Sequence, residues 1–140
     1  MKKTILVTAA LSFGLLGGLV STNTSASAAT THKGLPHSLI NTKWHAKTVY
    51  TARGRETSKL HFHKTTISGE WAGGVDPFGV SKVRYKYTGH HTYKLYAREY
   101  GNAPINGYAW RGKVKIYNSH KIYFKDYSTT WKYTNTIYQR

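Results

Sequence analysis

Gly107-Tyr108-Ala109-Trp110-Arg111-Gly112-Lys113-Val114-Lys115-Ile116-Tyr117 alternates almost without a break. Tyr108, Trp110, Val114 and Ile116 fall on one side, and Arg111, Lys113 and Lys115 on the other. That period of two marks a half-buried strand, because successive side chains of a strand point to opposite faces. Asn118-Ser119-His120 then turns the chain into Lys121 to Tyr127, where Ile122 and Phe124 face inward. A hairpin of two amphipathic strands is the seed of the fold.

The same alternation extends in both directions. Upstream, Trp44 to Tyr50, Ser58 to His63, Thr65 to Trp71, Val80 to Tyr87 and Thr92 to Glu99 each read as strands. Turns around Arg53-Gly54-Arg55, Gly73-Gly74, Gly89-His90-His91 and Asn102 to Pro104 separate them. Downstream, Ser128 to Thr134 reads as the eighth strand, with Trp131 and Tyr133 on one face and Lys132 opposite. Eight short strands with no helical period after the leader predict an all-β fold, a small eight-stranded antiparallel meander. Closing into a barrel removes its exposed edges; an open sandwich is the competing arrangement. The inward set is Trp44, Phe62, Ile67, Trp71, Tyr85, Tyr87, Tyr93, Leu95, Trp110, Val114, Ile116, Phe124, Trp131 and Tyr133.

Ahead of the strands, Met1 to Ala28 has the form of a secretory signal peptide. Lys2 and Lys3 precede an apolar run from Ile5 to Val20, and Ala26-Ser27-Ala28 supplies the small-x-small cleavage pattern. Residues 29–41 form a leader: flexible up to Gly34, then one helical turn at Leu35 to Ile40. Residues 42–140 form the barrel domain.

Composition sets the class of function. The 140-residue chain holds 21 Lys and Arg, 5 Asp and Glu, 8 His and no Cys, a formal charge of +16. Losing Lys2 and Lys3 takes the 21 basic residues to 19, a formal +14 against the 5 acids. A small soluble domain typically carries a net charge of about 2–8. Without Cys there are no disulfides, thiolate metal sites or thiol nucleophiles. An aromatic content of 14% excludes a disordered polycation, which would lack the rings that build a core.

A short helical turn, a Trp early in the first strand, eight up-and-down strands and a late basic residue together resemble the lipocalin (calycin) architecture. In that family a Gly-x-Trp motif opens the first strand, and a basic side chain packs over the Trp to close the barrel's bottom. Trp44 matches the Trp, Lys132 or Arg140 matches the basic residue, and Thr42 stands where the family has Gly. The family's C-terminal helix is absent from the pattern. The stretch Leu35-Pro36-His37-Ser38-Leu39 leading to Trp44 is also similar to small secreted Gram-positive proteins. The Lys/Tyr-rich composition resembles wall-binding domains of bacterial surface-layer proteins.

Chemistry follows from the outward face. Lys82-x-Arg84-x-Lys86 and Arg111-x-Lys113-x-Lys115 place cations on strand exteriors, as does Lys121-x-x-x-Lys125, with Tyr117, Tyr123 and Tyr127 interleaved. Lys82, Arg84, Lys86, Arg111, Lys113 and Lys115 are the candidate polyanion-binding residues. Trp44, Trp71, Tyr85, Trp110 and Trp131 are the candidate pocket, although so many rings fit a packed interior better. His61-x-His63 and His90-His91 would each need a third and usually a fourth ligand to hold zinc, for which His45 and Glu70 are the obvious supplements, and exposed histidine is the default; no metal or cofactor is expected. Glu56, Glu70, Asp76, Glu99 and Asp126 are scattered along the chain, and no nucleophile elbow, zinc-binding helix motif or phosphate loop is present. The expectation is therefore a secreted, extracellular, non-enzymatic monomer held at the cell surface by anionic cell-wall polymers or anionic lipid. No specific nucleic acid partner is expected. The alternative is a lipocalin-like carrier or sensor of a small apolar or aromatic ligand, and a weaker one is a membrane-active antibacterial protein.

Overall fold

Eight strands of this chain pair in sequence order and the last returns to the first. The computed structural model describes residues 30–101 and 103–140; the expected signal peptide lies outside the described residues. The elements are β1 (His32–Lys33), β2 (Thr42–Ala46), β3 (Val49–Thr51), β4 (Gly54–Glu56), β5 (Lys59–Phe62), β6 (Ile67–Glu70), β7 (Phe78–Tyr87), β8 (Thr92–Glu99), β9 (Tyr108–Asn118), β10 (Lys121–Asp126) and β11 (Thr136–Gln139), with a 3-10 turn at His37–Leu39. Strands β2, β5, β6, β7, β8, β9, β10 and β11 form the closed antiparallel meander, β11 pairing with β2 through Tyr138↔Ala46 and Gln139↔His45. The architecture is calycin-like.

Closure works because each strand buries its apolar side inward. In β2 the burial pattern alternates strictly, with Thr42, Trp44 and Ala46 buried and Lys43 and His45 exposed. Phe124 sits at the centre, its ring about 6 Å from those of Phe62, Trp71, Trp110 and Tyr138 and 6.5 Å from that of Phe78. Phe62, Ile67, Leu95, Val114, Ile122 and Phe124 have no exposed surface, so side chains fill the interior here, as eight strands permit. Gly112 makes room for this packing. Its missing Cβ would lie 2.7 Å from Trp110 Cζ2, so the Trp110 indole folds over the glycine two residues along its own strand.

Of the two late basic residues, Arg140 is the one that meets Trp44. The Arg140 guanidinium carbon lies 4.9 Å from the centre of the Trp44 ring, whereas Lys132 lies over Tyr133 instead. Thr42, in the place of the family's Gly, donates its hydroxyl to the Leu39 carbonyl at 2.6 Å and accepts the Trp44 indole N–H at 2.7 Å. Thr42 thus ties the 3-10 turn to the first strand.

Three local readings are corrected. The eighth strand is Thr136–Gln139, not Ser128 to Thr134. Asp126 Oδ1 accepts from both the backbone N–H and the hydroxyl of Ser128, at 2.7 and 2.6 Å, which ends β10 in a turn. Trp131 N–H bonds Thr129 Oγ1, Asn135 Nδ2 bonds the Thr129 carbonyl, and Asn135 Oδ1 accepts from Asp126 N–H. Residues 127–135 are therefore a self-bonded loop, and Trp131 and Tyr133 do not belong to the barrel interior. The turn expected around Arg53-Gly54-Arg55 is the end of a second hairpin, β3–β4, with Tyr50↔Arg55 paired. The leader is not free before Gly34, since His32 and Lys33 pair with Tyr85 and Arg84 of β7.

Candidate functional site

Strand register decides where the cations meet. Lys86 is directly opposite Lys94, Lys94 opposite Lys113, and Lys113 opposite Lys125. Four lysines thus form one row across β7, β8, β9 and β10, spanning about 14 Å at the usual strand spacing. The next row runs Arg84, Tyr96, Arg111, and on the other side Lys115 pairs with Tyr123. Like charges directly opposite one another are destabilising in a sheet. No acid relieves them: the ion pairs among the described residues are Arg53–Glu56 at 2.7 Å and Lys59–Glu70 at 3.6 Å, both away from this wall.

Tyrosine rings lie under several of the cations. The ammonium groups of Lys113, Lys115 and Lys125 lie 5.5, 5.2 and 5.0 Å from the ring centres of Tyr123, Tyr117 and Tyr127, and Lys121 shares Tyr117 at 5.5 Å. A ring face attracts an ammonium without cancelling its charge, so the cations remain available to an anion. Between the rows runs a shallow groove of about 330 Å³, lined by Lys94, Tyr96, Arg111 and Tyr127 over Leu95 and Gly112.

Five of the six residues singled out for polyanion binding meet on this wall. The sixth, Lys82, sits at a bulge where the β7–β8 register shifts between Ser81 and Arg84; its φ is +55° and its ammonium lies 5.5 Å from Tyr100. Lys94 and Lys125 complete the row. Lys94 stands between Tyr93 and Leu95, so its outward face was legible, but its opposition to two other lysines depends on pairing. His61, outside the wall, has its rings' neighbour His63 at 3.9 Å. Partial burial, then the nearby His63 and Lys43, lowers its pKa below the ordinary histidine value.

The five candidate pocket residues do not converge. Trp44 is buried beneath Arg140, Tyr85 stacks on His32 at 5.1 Å, and Trp110 is buried within the core with an indole N–H that finds no partner among the described residues. Trp71 and Trp131 alone share a recess, of about 450 Å³, at the opposite end from Trp44.

That end, the mouth, also gathers every acidic residue. Glu56, Glu70, Glu99 and Asp126 are the last residues of β4, β6, β8 and β10, and Asp76 lies in the loop before β7. Glu56 is structural: its carboxylate accepts from the Thr51 hydroxyl and from Gly73 N–H and pairs with Arg53. The Thr51 bond is the main reason that its pKa falls below the ordinary value. Ser58 stitches the neighbouring loops together, donating to the Tyr133 carbonyl and accepting from Ala72 N–H. Partial burial, and next the Asp126 carboxylate, raise the pKa of Glu99.

No protein family, curated protein or solved structure matches this chain.

Proposed function

We propose that this is a secreted, lipocalin-like binding protein of a Gram-positive cell, non-enzymatic, which holds anionic cell-wall polymers against the cationic wall of its barrel. The observation that carries this reading is the row Lys86, Lys94, Lys113 and Lys125, opposed cation to cation with no acid among them. Such a row costs stability in the free protein. A polymer with repeated phosphates removes the repulsion and releases its own counterions, so the same arrangement favours the complex. The interleaved tyrosines and the groove beside Arg111 provide contact area for the polymer backbone between its charges. Binding through phosphate groups would be blind to nucleotide sequence, and an extracellular location makes wall polymers the abundant polyanion.

Co-sedimentation with intact and teichoic-acid-stripped Gram-positive walls over a salt series tests it. Binding should disappear on stripping and weaken linearly in the logarithm of salt. Lys113→Glu with Lys115→Glu should reduce the salt slope by about two, one for each cation withdrawn from a phosphate. Equal binding to stripped walls, or a flat salt response, overturns the proposal.

A further inference from the structure

The mouth recess has a chemistry opposite to that of the wall. Trp71, Phe78 and Trp131 give it aromatic sides, and Asp76, Glu99 and Asp126 give it carboxylates; no lysine or arginine lines it. These three acids are the ones without an ion pair among the described residues, in a chain with 21 Lys and Arg. Asp126 is also only 2% exposed, and while Oδ1 is held by Ser128, its Oδ2 receives no hydrogen bond from a described residue.

The aromatic sides are held in place before any ligand arrives. Trp131 is 45% exposed, yet its indole N–H donates to the Ala72 carbonyl at 3.0 Å. Gly73, at φ +76°, lets the ring lie close: a Cβ there would sit 3.0 Å from Trp131 Cζ2. Trp71 stacks on Phe124 at 6.2 Å and meets Phe78 at 5.0 Å, so its ring is fixed by the core. Fixed rings and unpaired carboxylates around one recess suit a cation with an apolar surface. A bare metal ion suits it less, since no three His, Asp or Glu among the described residues lie close enough to share one ion.

We infer that the mouth recess binds a small organic ammonium ion, its alkyl surface against Trp71 and Trp131 and its charge facing Glu99 and Asp126.

Tryptophan fluorescence of the purified protein, titrated with tetramethylammonium chloride, tests this directly. tert-Butanol serves as the neutral match of shape, and sodium chloride as the match of ionic strength. The expected result is a saturable change with tetramethylammonium that neither control gives. Glu99→Gln should weaken it about tenfold, the loss expected for one close charge in a partly dry site. Trp131→Leu should weaken it by a similar factor. Asp126→Asn keeps the Oδ1 acceptor for Ser128 and should also weaken it, with the urea midpoint reporting that the fold survives. No saturable change, equal responses to tetramethylammonium and tert-butanol, or unaltered affinity in folded Glu99→Gln overturns the inference. Wall binding should be unaffected by Glu99→Gln, so failure here leaves the polymer reading standing.

Discussion

The wall and the mouth share strands β8 and β10 and treat charge in opposite ways. On β7 to β10 the outward lysines oppose one another, and Lys113 and Lys125 lie over tyrosine rings. At the upper ends of β4, β6, β8 and β10 stand four of the chain's five acids. Opposite charges interleaved across the wall would contribute roughly 0.2–1 kcal/mol per pair. The chain has acids available and places none there. Segregation of this kind lowers the stability of the free protein, and the two proposed ligands, an anionic polymer on the wall and an organic cation at the mouth, would each offset it.

The most disruptive test removes what the two regions share. Phe124→Ala empties the centre of the aromatic core and should cost about 3–5 kcal/mol, read as a lowered urea midpoint, with both regions lost together. Survival of the fold with a near-normal midpoint would mean that the core does not support them jointly. Gly112→Ala acts more locally: the new methyl must displace the Trp110 ring, at about 1–3 kcal/mol. Near-ultraviolet circular dichroism should register the moved indole.

Lys94→Glu sharpens the contrast itself, by placing an acid between Lys86 and Lys113. Stability should rise by about 0.5 kcal/mol while wall binding weakens, an inverse response that a merely solubilising charge would not show. If binding and stability fall together, the row is structural.

The smallest effects are in pH. Glu56 has a lowered pKa in the fold, so its stabilising contribution is complete above the ordinary value and is lost as pH falls through the lowered one. Glu99 has a raised pKa, so stability declines as pH rises from the ordinary value through the raised one. Urea midpoints measured across the acid range should show Glu56→Gln losing the first dependence and Glu99→Gln the second. Parallel profiles for the two variants would contradict the assignment of opposite environments.

Much of the barrel was legible because period-two alternation is a local property. Tyr108 to Tyr117 and Lys121 to Tyr127 needed nothing beyond themselves to be recognised. The eighth strand was misplaced for an equally local reason: Trp131 and Tyr133 mimic alternation, while the Asp126–Ser128 turn and the Asn135 bonds hold that segment as a loop. The match between Trp44 and a late cation was visible, but Arg140 and Lys132 were equivalent until the chain was closed.

Residue type and near spacing were enough for the net charge, for seven of the eight barrel strands and for most of their faces; Tyr87 and Tyr108, read as inward, are 45% and 60% exposed. Only the tertiary structure decided which lysines oppose which, because register is set by pairing between segments. It also decided that acids scattered from Glu56 to Asp126 share one end. In an up-and-down barrel alternate strand termini lie together, however far apart they are in the chain, so strand direction brings distant carboxylates to a common mouth.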